Sequence, residues 1–370
     1  VAIVVTGAKG FIARNLCARL RECGHTDVVG VTRSTCSDEL QAAFGGADIV
    51  FHLAGINRPE DVGEFESGNT GFTRDLCDAL ARSGRSVPVV FTSSTQAALD
   101  NPYGRSKCEA ENILVRYGDA TGAPVWLFRL TNVFGKWSRP NYNSAVATFC
   151  YNIARDLPIT VHNPAARLSL LYIDDVVDAL LQRLDQPLGA SGFLDVHPVY
   201  ETSVGELADI LRAFRASRSS LVTLPVGQGL FRALHATYLS FLPAEAFAYR
   251  VPLHTDPRGE FAEMLKTEDS GQLSYFTAHP GITRGGHYHH TKAEKFLVVR
   301  GTAHFGFRNV DTGQTMELVT RGGEARIVET VPGWAHDITN IGDDELVVML
   351  WANEVFDRAR PDTIASPLRP

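Results

Sequence analysis

Tyr103 and Lys107 stand four residues apart in NPYGRSKCEAENILVRYG, and Ser94 closes the run VVFTSS a short distance upstream. Pro102, a residue favoured in the first turn of a helix, directly precedes the tyrosine. The spacing therefore puts the phenol and the ammonium on one helical face. Thr92, Ser93, Ser94 and Thr95 fall at the C-terminal end of an apolar run, the side on which open parallel sheets bind ligands. A hydroxyl, a phenol and a lysine form a working set for carbonyl reduction. The lysine's charge lowers the phenol pKa, the phenol protonates the developing alkoxide, and the serine hydrogen-bonds the carbonyl oxygen. Tyr-x-x-x-Lys is short enough to arise by chance, so its surroundings must carry the assignment.

One such surrounding is the turn Thr6-Gly7-Ala8-Lys9-Gly10-Phe11-Ile12-Ala13-Arg14, which follows the first apolar run and opens a helix. Gly7 permits a tight turn, and Gly10 lets the backbone approach a pyrophosphate at the helix N-terminus. Ala13 stands where a third glycine is commoner, and still allows close packing of helix on strand. After the second strand, VVGVTRS offers Arg33 beside Ser34 where an acidic residue would hold a ribose 2′-hydroxyl. A guanidinium suits a 2′-phosphate, so NADP(H) is the expected cofactor.

A second set of chemistry-bearing residues lies far downstream. Seven of the twelve histidines fall after residue 245, among them His287, His289 and His290, with Glu294 and His336 beyond. Histidines two apart on a strand share a face, and a later Glu and His from neighbouring strands can complete a cage. Three imidazoles and a carboxylate suit zinc first, and also manganese, iron or nickel. A divalent metal held by His287, His289, Glu294 and His336 is therefore expected.

These groups need two kinds of scaffold. Up to about residue 200, short apolar runs alternate with amphipathic stretches, which predicts a parallel sheet covered by helices on both faces. After about residue 246 the texture changes to short strands punctuated by Gly, Asn and Asp, which reads as an antiparallel barrel or sandwich. The expected domains are 1–245, binding NADP, and 246–370, binding metal. A balance of 44% hydrophobic and 21% charged residues is enough for two buried cores. A formal charge of −7 leaves no positive excess for nucleic acid. No apolar stretch reaches the roughly 20 residues that span a bilayer, and the opening VAIVVTGAKG reads as strand and turn, so a cytoplasmic protein is expected. The six cysteines lie in the first 150 residues without a CxxC pair, as suits reduced thiols.

In combination, TGAKGFIA, HLAG, TSS, Tyr103-x-x-x-Lys107, RLTNVFG and YIDDVV resemble the extended short-chain dehydrogenase/reductases that act on nucleotide sugars. That resemblance implies a Rossmann-type doubly wound sheet with Ser94, ahead of Ser93 or Thr95, and Tyr103 and Lys107 as catalytic residues. It assigns cofactor contacts to Gly7, Lys9, Gly10, Phe11, Ile12, Arg33, Leu53, Ala54, Tyr103 and Lys107, and puts Asn132 and Arg167 near the sugar-nucleotide side. The segments around His287 and His336 resemble the two cupin signatures, the second imperfectly, and imply an all-β cupin barrel. Asp256-Pro-Arg258-Gly259 and Arg284-Gly-Gly-His287 also resemble the dTDP-4-keto-6-deoxyhexose 3,5-epimerases, in which the histidine at this place is a base and no metal is required. The two likenesses disagree on His287, and the cage completed by Glu294 and His336 favours a ligand.

Reductase and cupin fused in one chain resemble the CapF-type bifunctional capsular polysaccharide synthesis enzymes over essentially the whole sequence. The implied substrate is a UDP-linked 4-keto-6-deoxy amino sugar. The cupin would epimerise C3 of UDP-2-acetamido-2,6-dideoxy-L-arabino-4-hexulose, and the reductase would reduce C4 with NADPH to the L-talose sugar, toward UDP-N-acetyl-L-fucosamine. His290, Lys292, Lys295 and Tyr275 are candidates for the epimerising base, with His290 and Lys292 foremost. A homodimer or higher homo-oligomer is expected. A plain 4-ketoreductase carrying a non-catalytic cupin is the alternative.

Overall fold

The runs Ile3–Thr6 (β1) and Ile49–His52 (β3) are buried at every position, as expected of strands covered on both faces. In the computed structural model, which describes residues 1–185, 191–359 and 361–368, they join β2 (Val28–Val31), β4 (Val89–Ser94), β5 (Val125–Leu130) and a later strand, β8 (Gly192–Leu194). The result is a six-stranded sheet of order β2-β1-β3-β4-β5-β8, parallel throughout. Between β5 and β8 the chain forms β6 (Asn132–Phe134) and β7 (Arg167–Tyr172), which with β9 (Val199–Ser203) make a separate three-stranded sheet. Helices α1 (Phe11–Glu22), α2 (Ser37–Gly46), α3 (Phe72–Arg82) and α4 (Pro102–Thr121) connect the early strands. Leu76 and Leu80 of α3 and Leu114 of α4 pack with Val50, Val89, Phe91 and Leu127 in one buried cluster. The strand order reverses between β1 and β3, so the C-terminal ends of β1, β3 and β4 open on the crevice where such sheets bind ligands. The expected Rossmann-type sheet is present.

The chain divides into two compact units, Val1–Leu211 with Arg232–Leu242, and Arg212–Phe231 with the chain from Pro243 onward. The second unit therefore takes in a segment ahead of residue 246, where Val222 bridges to Lys266. Its strands are β10 (Leu253–Asp256), β11 (Gly259–Thr267), β12 (Gly271–Ala278), β13 (Thr283–Tyr288), β14 (Glu294–Arg300), β15 (Thr302–Asn309), β16 (Thr315–Arg321), β17 (Ile327–Glu329), β18 (Trp334–Asn340), β19 (Leu346–Ala352) and β20 (Ile364–Ala365). They form two sheets, of order β10-β11-β12-β19-β14-β17 and β16-β15-β18-β13-β20, with antiparallel pairing. Phe276, Phe296, Val298, Phe305, Phe307, Ile338 and Val348 fill the core. Residues of the same parity as Phe296 and Val298 on β14 point inward, which is how Glu294 comes to be buried. Among the described residues no helix is long and apolar enough to cross a membrane.

Candidate functional site

In the first unit a cleft of about 990 Å³ runs along the C-terminal ends of the parallel strands, lined by residues that include Ser94, Tyr103, Lys107, Leu53 and Ala54. Local packing dictates this meeting. Asn101 caps α4 by accepting from the Gly104 N–H at 2.8 Å, and Pro102 occupies the first turn. A Cβ on Gly104 would lie 2.3 Å from the Gln96 carbonyl oxygen and 2.4 Å from that of Leu99. Only glycine lets α4 approach the turn after β4 this closely, and that approach brings the Tyr103 phenol beside the Ser94 hydroxyl. Ser93 points elsewhere: it is buried and donates to Glu111 Oε1 at 2.5 Å, while Glu111 also binds Arg129 at 3.0 and 2.6 Å. The serine beside Tyr103 is Ser94, whose Oγ also accepts from the Gln96 N–H at 3.2 Å.

Lys107 is buried, and its Nζ donates to the Thr92 carbonyl at 2.8 Å and lies 4.1 Å above the Phe91 ring. Burial pushes it down to about 7, with the Glu111 carboxylate working the other way. Burial also pushes the Tyr103 phenol up, against the hydrogen bond from Ser94. The expected lowering of the phenol by the lysine's charge is thus not the dominant influence in this arrangement. His52, at the end of β3, is held neutral between Thr6 (2.8 Å) and Thr73 (2.9 Å), pushed down to about 3 by burial and then by Lys107. It is a strut for the cleft wall.

The Gly-rich turn fits a dinucleotide. Gly7 has φ +67, and a Cβ there would lie 2.8 Å from Ala54 Cα, while one on Gly10 would lie 3.0 Å from the Gly7 carbonyl oxygen. α1 starts at Gly10 without a side-chain cap, so its first N–H groups remain available to an anion beside Lys9, Phe11 and Ile12, which line the cleft. Arg33 is exposed in the turn after β2 and is not among the cleft-lining residues. On the far side, Asn132 lines the cleft; Arg167, exposed at the start of β7, does not. Sequence reasoning missed Trp137, Arg139 and Tyr142, which line the cleft from a loop after β6. Trp137 and Asn141 there adopt φ 69 and 53. The turn-forming run KWSRPNYNS was the available signal.

In the second unit, His287, His289, Glu294 and His336 converge, with one ligand atom of each lying within 4.8 Å of all the others. Pairing of β13 with β18 sets His287 opposite His336, and β14 supplies Glu294. Glu294 Oε2 lies 3.3 Å from His289 Nε2 and 3.4 Å from His336 Nε2. Ligand atoms about 2.0–2.1 Å from a tetrahedral ion stand roughly 3.3–3.4 Å apart, so the donor set fits a divalent metal such as zinc. Burial and the neighbouring imidazoles push His287 down to about 4, which keeps it neutral as a ligand requires. Burial alone would raise Glu294, but His289, His336 and Lys292 outweigh it and hold the carboxylate ionised.

Of the proposed bases, the structure brings Lys292 into this cluster: it is buried, with Nζ 3.0 Å from Glu294 Oε1. His290 is exposed and its ring packs edge-on against Tyr288, on the strand face opposite His287 and His289. Lys295 pairs with Glu329 on the exposed face of β14, and Tyr275 sits opposite the exposed Met349 on the outer side of β12. Neither joins the cluster. Asp362, which sequence reasoning also missed, accepts from the backbone N–H groups of His290, Thr291 and Lys292.

Residues 3–192 match the model of the NAD dependent epimerase/dehydratase family, and residues 254–364 match that of the polysaccharide biosynthesis C-terminal domain. The chain is 58% identical over 363 residues, covering 98% of both chains, to a Pseudomonas aeruginosa protein named UDP-2-acetamido-2,6-beta-L-arabino-hexul-4-ose reductase. It is similar to the crystal structure of the capsular polysaccharide assembling protein CapF from Staphylococcus aureus, with a TM-score of 0.91 and 40% identity over 100% of both chains. UDP-N-acetylglucosamine 4-epimerase from Bacillus cereus, at 19% identity and a TM-score of 0.55, shares the fold over 68% of this chain and 98% of its own.

Proposed function

The chain belongs to the NAD dependent epimerase/dehydratase family, and from that premise we propose that it is an NADPH-dependent reductase of a UDP-linked 4-keto-6-deoxy amino sugar whose second unit epimerises C3 of the same sugar. The observation that carries the reading is the meeting of Ser94, Tyr103 and Lys107 in one cleft with the glycine turn, in a chain so close to a relative named as a reductase of a UDP-linked 4-hexulose. The substrate is UDP-2-acetamido-2,6-dideoxy-L-arabino-4-hexulose and the product the corresponding L-talose sugar.

The glycine turn would hold NADPH, Arg33 would answer the charge of its 2′-phosphate, and the bound cofactor would supply the hydride for C4. Ser94 donates a hydrogen bond to the C4 carbonyl oxygen, and Tyr103 delivers its phenolic proton to that oxygen as negative charge develops. Burial makes the phenol a weaker acid, so its proton passes only as the more basic alkoxide oxygen develops. Lys107, held by the Thr92 carbonyl, sits four residues along the same helix and stabilises the phenolate left behind.

His287, His289, Glu294 and His336 would hold a divalent cation, zinc foremost. Such a cation supplies positive charge for an enolate oxygen. The 4-keto group acidifies the C3 proton, and Lys292, whose Nζ lies 3.0 Å from Glu294 Oε1 at the cluster, would take that proton as the free amine and return it from the ammonium so formed. Reduction at C4 then removes the ketone through which C3 could invert back.

The deciding experiment incubates the purified protein with the 4-keto sugar nucleotide in deuterium oxide, with and without NADPH. Deuterium at C3 in both samples and C4 reduction only with NADPH are expected. Reduction without any exchange at C3 would leave a plain 4-ketoreductase with a non-catalytic second unit.

A further inference from the structure

The last strand of the second unit is short, yet it closes on β13, which carries His287 and leads directly into His289 just past its end. β20 pairs with β13 so that Ala365 faces His287 and Ile364 faces Tyr288. The Ser366 N–H donates to the Gly286 carbonyl at 2.8 Å, and Arg308 Nη2 donates to Ser366 Oγ at 2.9 Å and to the Pro367 carbonyl at 3.3 Å. These contacts anchor the tail just beyond Asp362.

Asp362 gathers more hydrogen bonds than an ordinary surface carboxylate. Its Oδ2 accepts from the backbone N–H groups of Thr291 at 2.7 Å and Lys292 at 2.9 Å and from Thr291 Oγ1 at 3.1 Å, and its Oδ1 accepts from the His290 N–H at 2.9 Å. The backbone carbonyl of the same residue faces His289 Nδ1 within hydrogen-bond reach. A carbonyl can only accept, so His289 must carry its proton on Nδ1, which leaves the Nε2 lone pair directed at Glu294 and the other ligand atoms. The segment that Asp362 clamps runs from His289 to Lys292, and Lys292 reaches Glu294 from its end.

We propose that Asp362 is a positioning residue of the clustered His/Glu site: its carbonyl fixes the tautomer and direction of His289, and its carboxylate fixes the turn that delivers Lys292. The proposal rests on the reading of this cluster as a metal site. The C-terminal tail is on this view part of the site.

The test uses full-length protein and zinc as the probe, measured by competition with a chromophoric chelator. Wild type should bind tightly, and Glu294→Gln, which removes a ligand, should lose binding outright. Asp362→Asn, which removes the charge and turns one of the two accepting oxygens into an NH2 group that cannot accept from the backbone N–H groups, should weaken zinc about 10- to 100-fold. In the cobalt-loaded protein the same substitution should shift the visible absorption bands, since the His289 direction changes. A second measurement needs no variant fold: nitrogen-15 spectra of histidine-labelled wild type should show His289 protonated at Nδ1 with and without zinc. Zinc binding by wild type and its loss in Glu294→Gln, together with wild-type affinity in Asp362→Asn, would overturn the role of Asp362 alone. Protonation of His289 at Nε2 would do the same. Failure of wild type to bind zinc better than Glu294→Gln would overturn the metal reading itself.

Discussion

At Tyr103 the chemistry depends on one oxygen atom. The phenol stands beside Ser94 in a cleft whose other side is the glycine turn, and on the proposed reading it serves the reduction at C4 and nothing at C3. Tyr103→Phe should therefore lower NADPH-dependent reduction by about 10²- to 10⁴-fold while deuterium still enters C3 at the wild-type rate. Wild-type reduction in that variant would remove Tyr103 from the mechanism. Lys107 gives a pH test. Its amine is pushed down to about 7 by burial, whereas the unfolded chain holds that proton to about 10.4. Between those values the unfolded state binds a proton that the folded state does not, so the stability contributed by this group rises with pH over that window. Wild-type Tm should gain on that of Lys107→Met as pH is raised from 7 toward 10. A constant difference would assign the lysine an ordinary pKa.

At the scale of elements, what was legible in the sequence was what repeats locally. Alternating apolar runs and amphipathic stretches announced the parallel sheet, because strands buried on both faces read as continuous hydrophobic runs. His287 and His289 came together as their spacing suggested, although His289 lies one residue past the end of β13. Long-range pairings were not legible. Asp362 lies 73 residues from the ring it orients, and no local pattern ties a tail aspartate to an earlier strand. Likewise, His290 looked equivalent to its neighbours, but past the end of β13 its ring turns against Tyr288 and away from the cluster. Arg33 remains the case where element geometry and chemistry must be tested together: it leaves the end of β2 exposed, at the height where an adenosine ribose lies in sheets of this type. Arg33→Asp should lower the ratio of kcat/KM for NADPH over NADH by about tenfold or more, the worth of one charge-assisted contact. An unchanged ratio would show that Arg33 does not reach the 2′-phosphate.

At the scale of the whole molecule, the proposed reading assigns each compact unit the chemical groups of a different step. The reductive set, Ser94, Tyr103 and Lys107, lies in Val1–Leu211, and the clustered imidazoles, Glu294 and Lys292 all lie beyond Pro243. No residue is shared between the two sets, so the two steps should separate by mutation. Glu294→Gln combined with His336→Ala removes two of the four donors and the carboxylate that balances Lys292. That double variant should lose bound metal and stop deuterium exchange at C3, yet still oxidise NADPH when supplied with a ketosugar already inverted at C3. Elemental analysis is the first readout, because full metal occupancy in the variant would rule out this ligand set. Exchange is the second. Metal-free wild-type protein that exchanges C3 at the normal rate would leave the metal a structural part of the unit and return His287, half-buried and pushed down to about 4, to the position of a neutral base. If instead exchange and metal disappear together while reduction persists, inversion belongs to the second unit and hydride transfer to the first, and the chain joins them so that a ketone prone to revert is consumed by the protein that makes it.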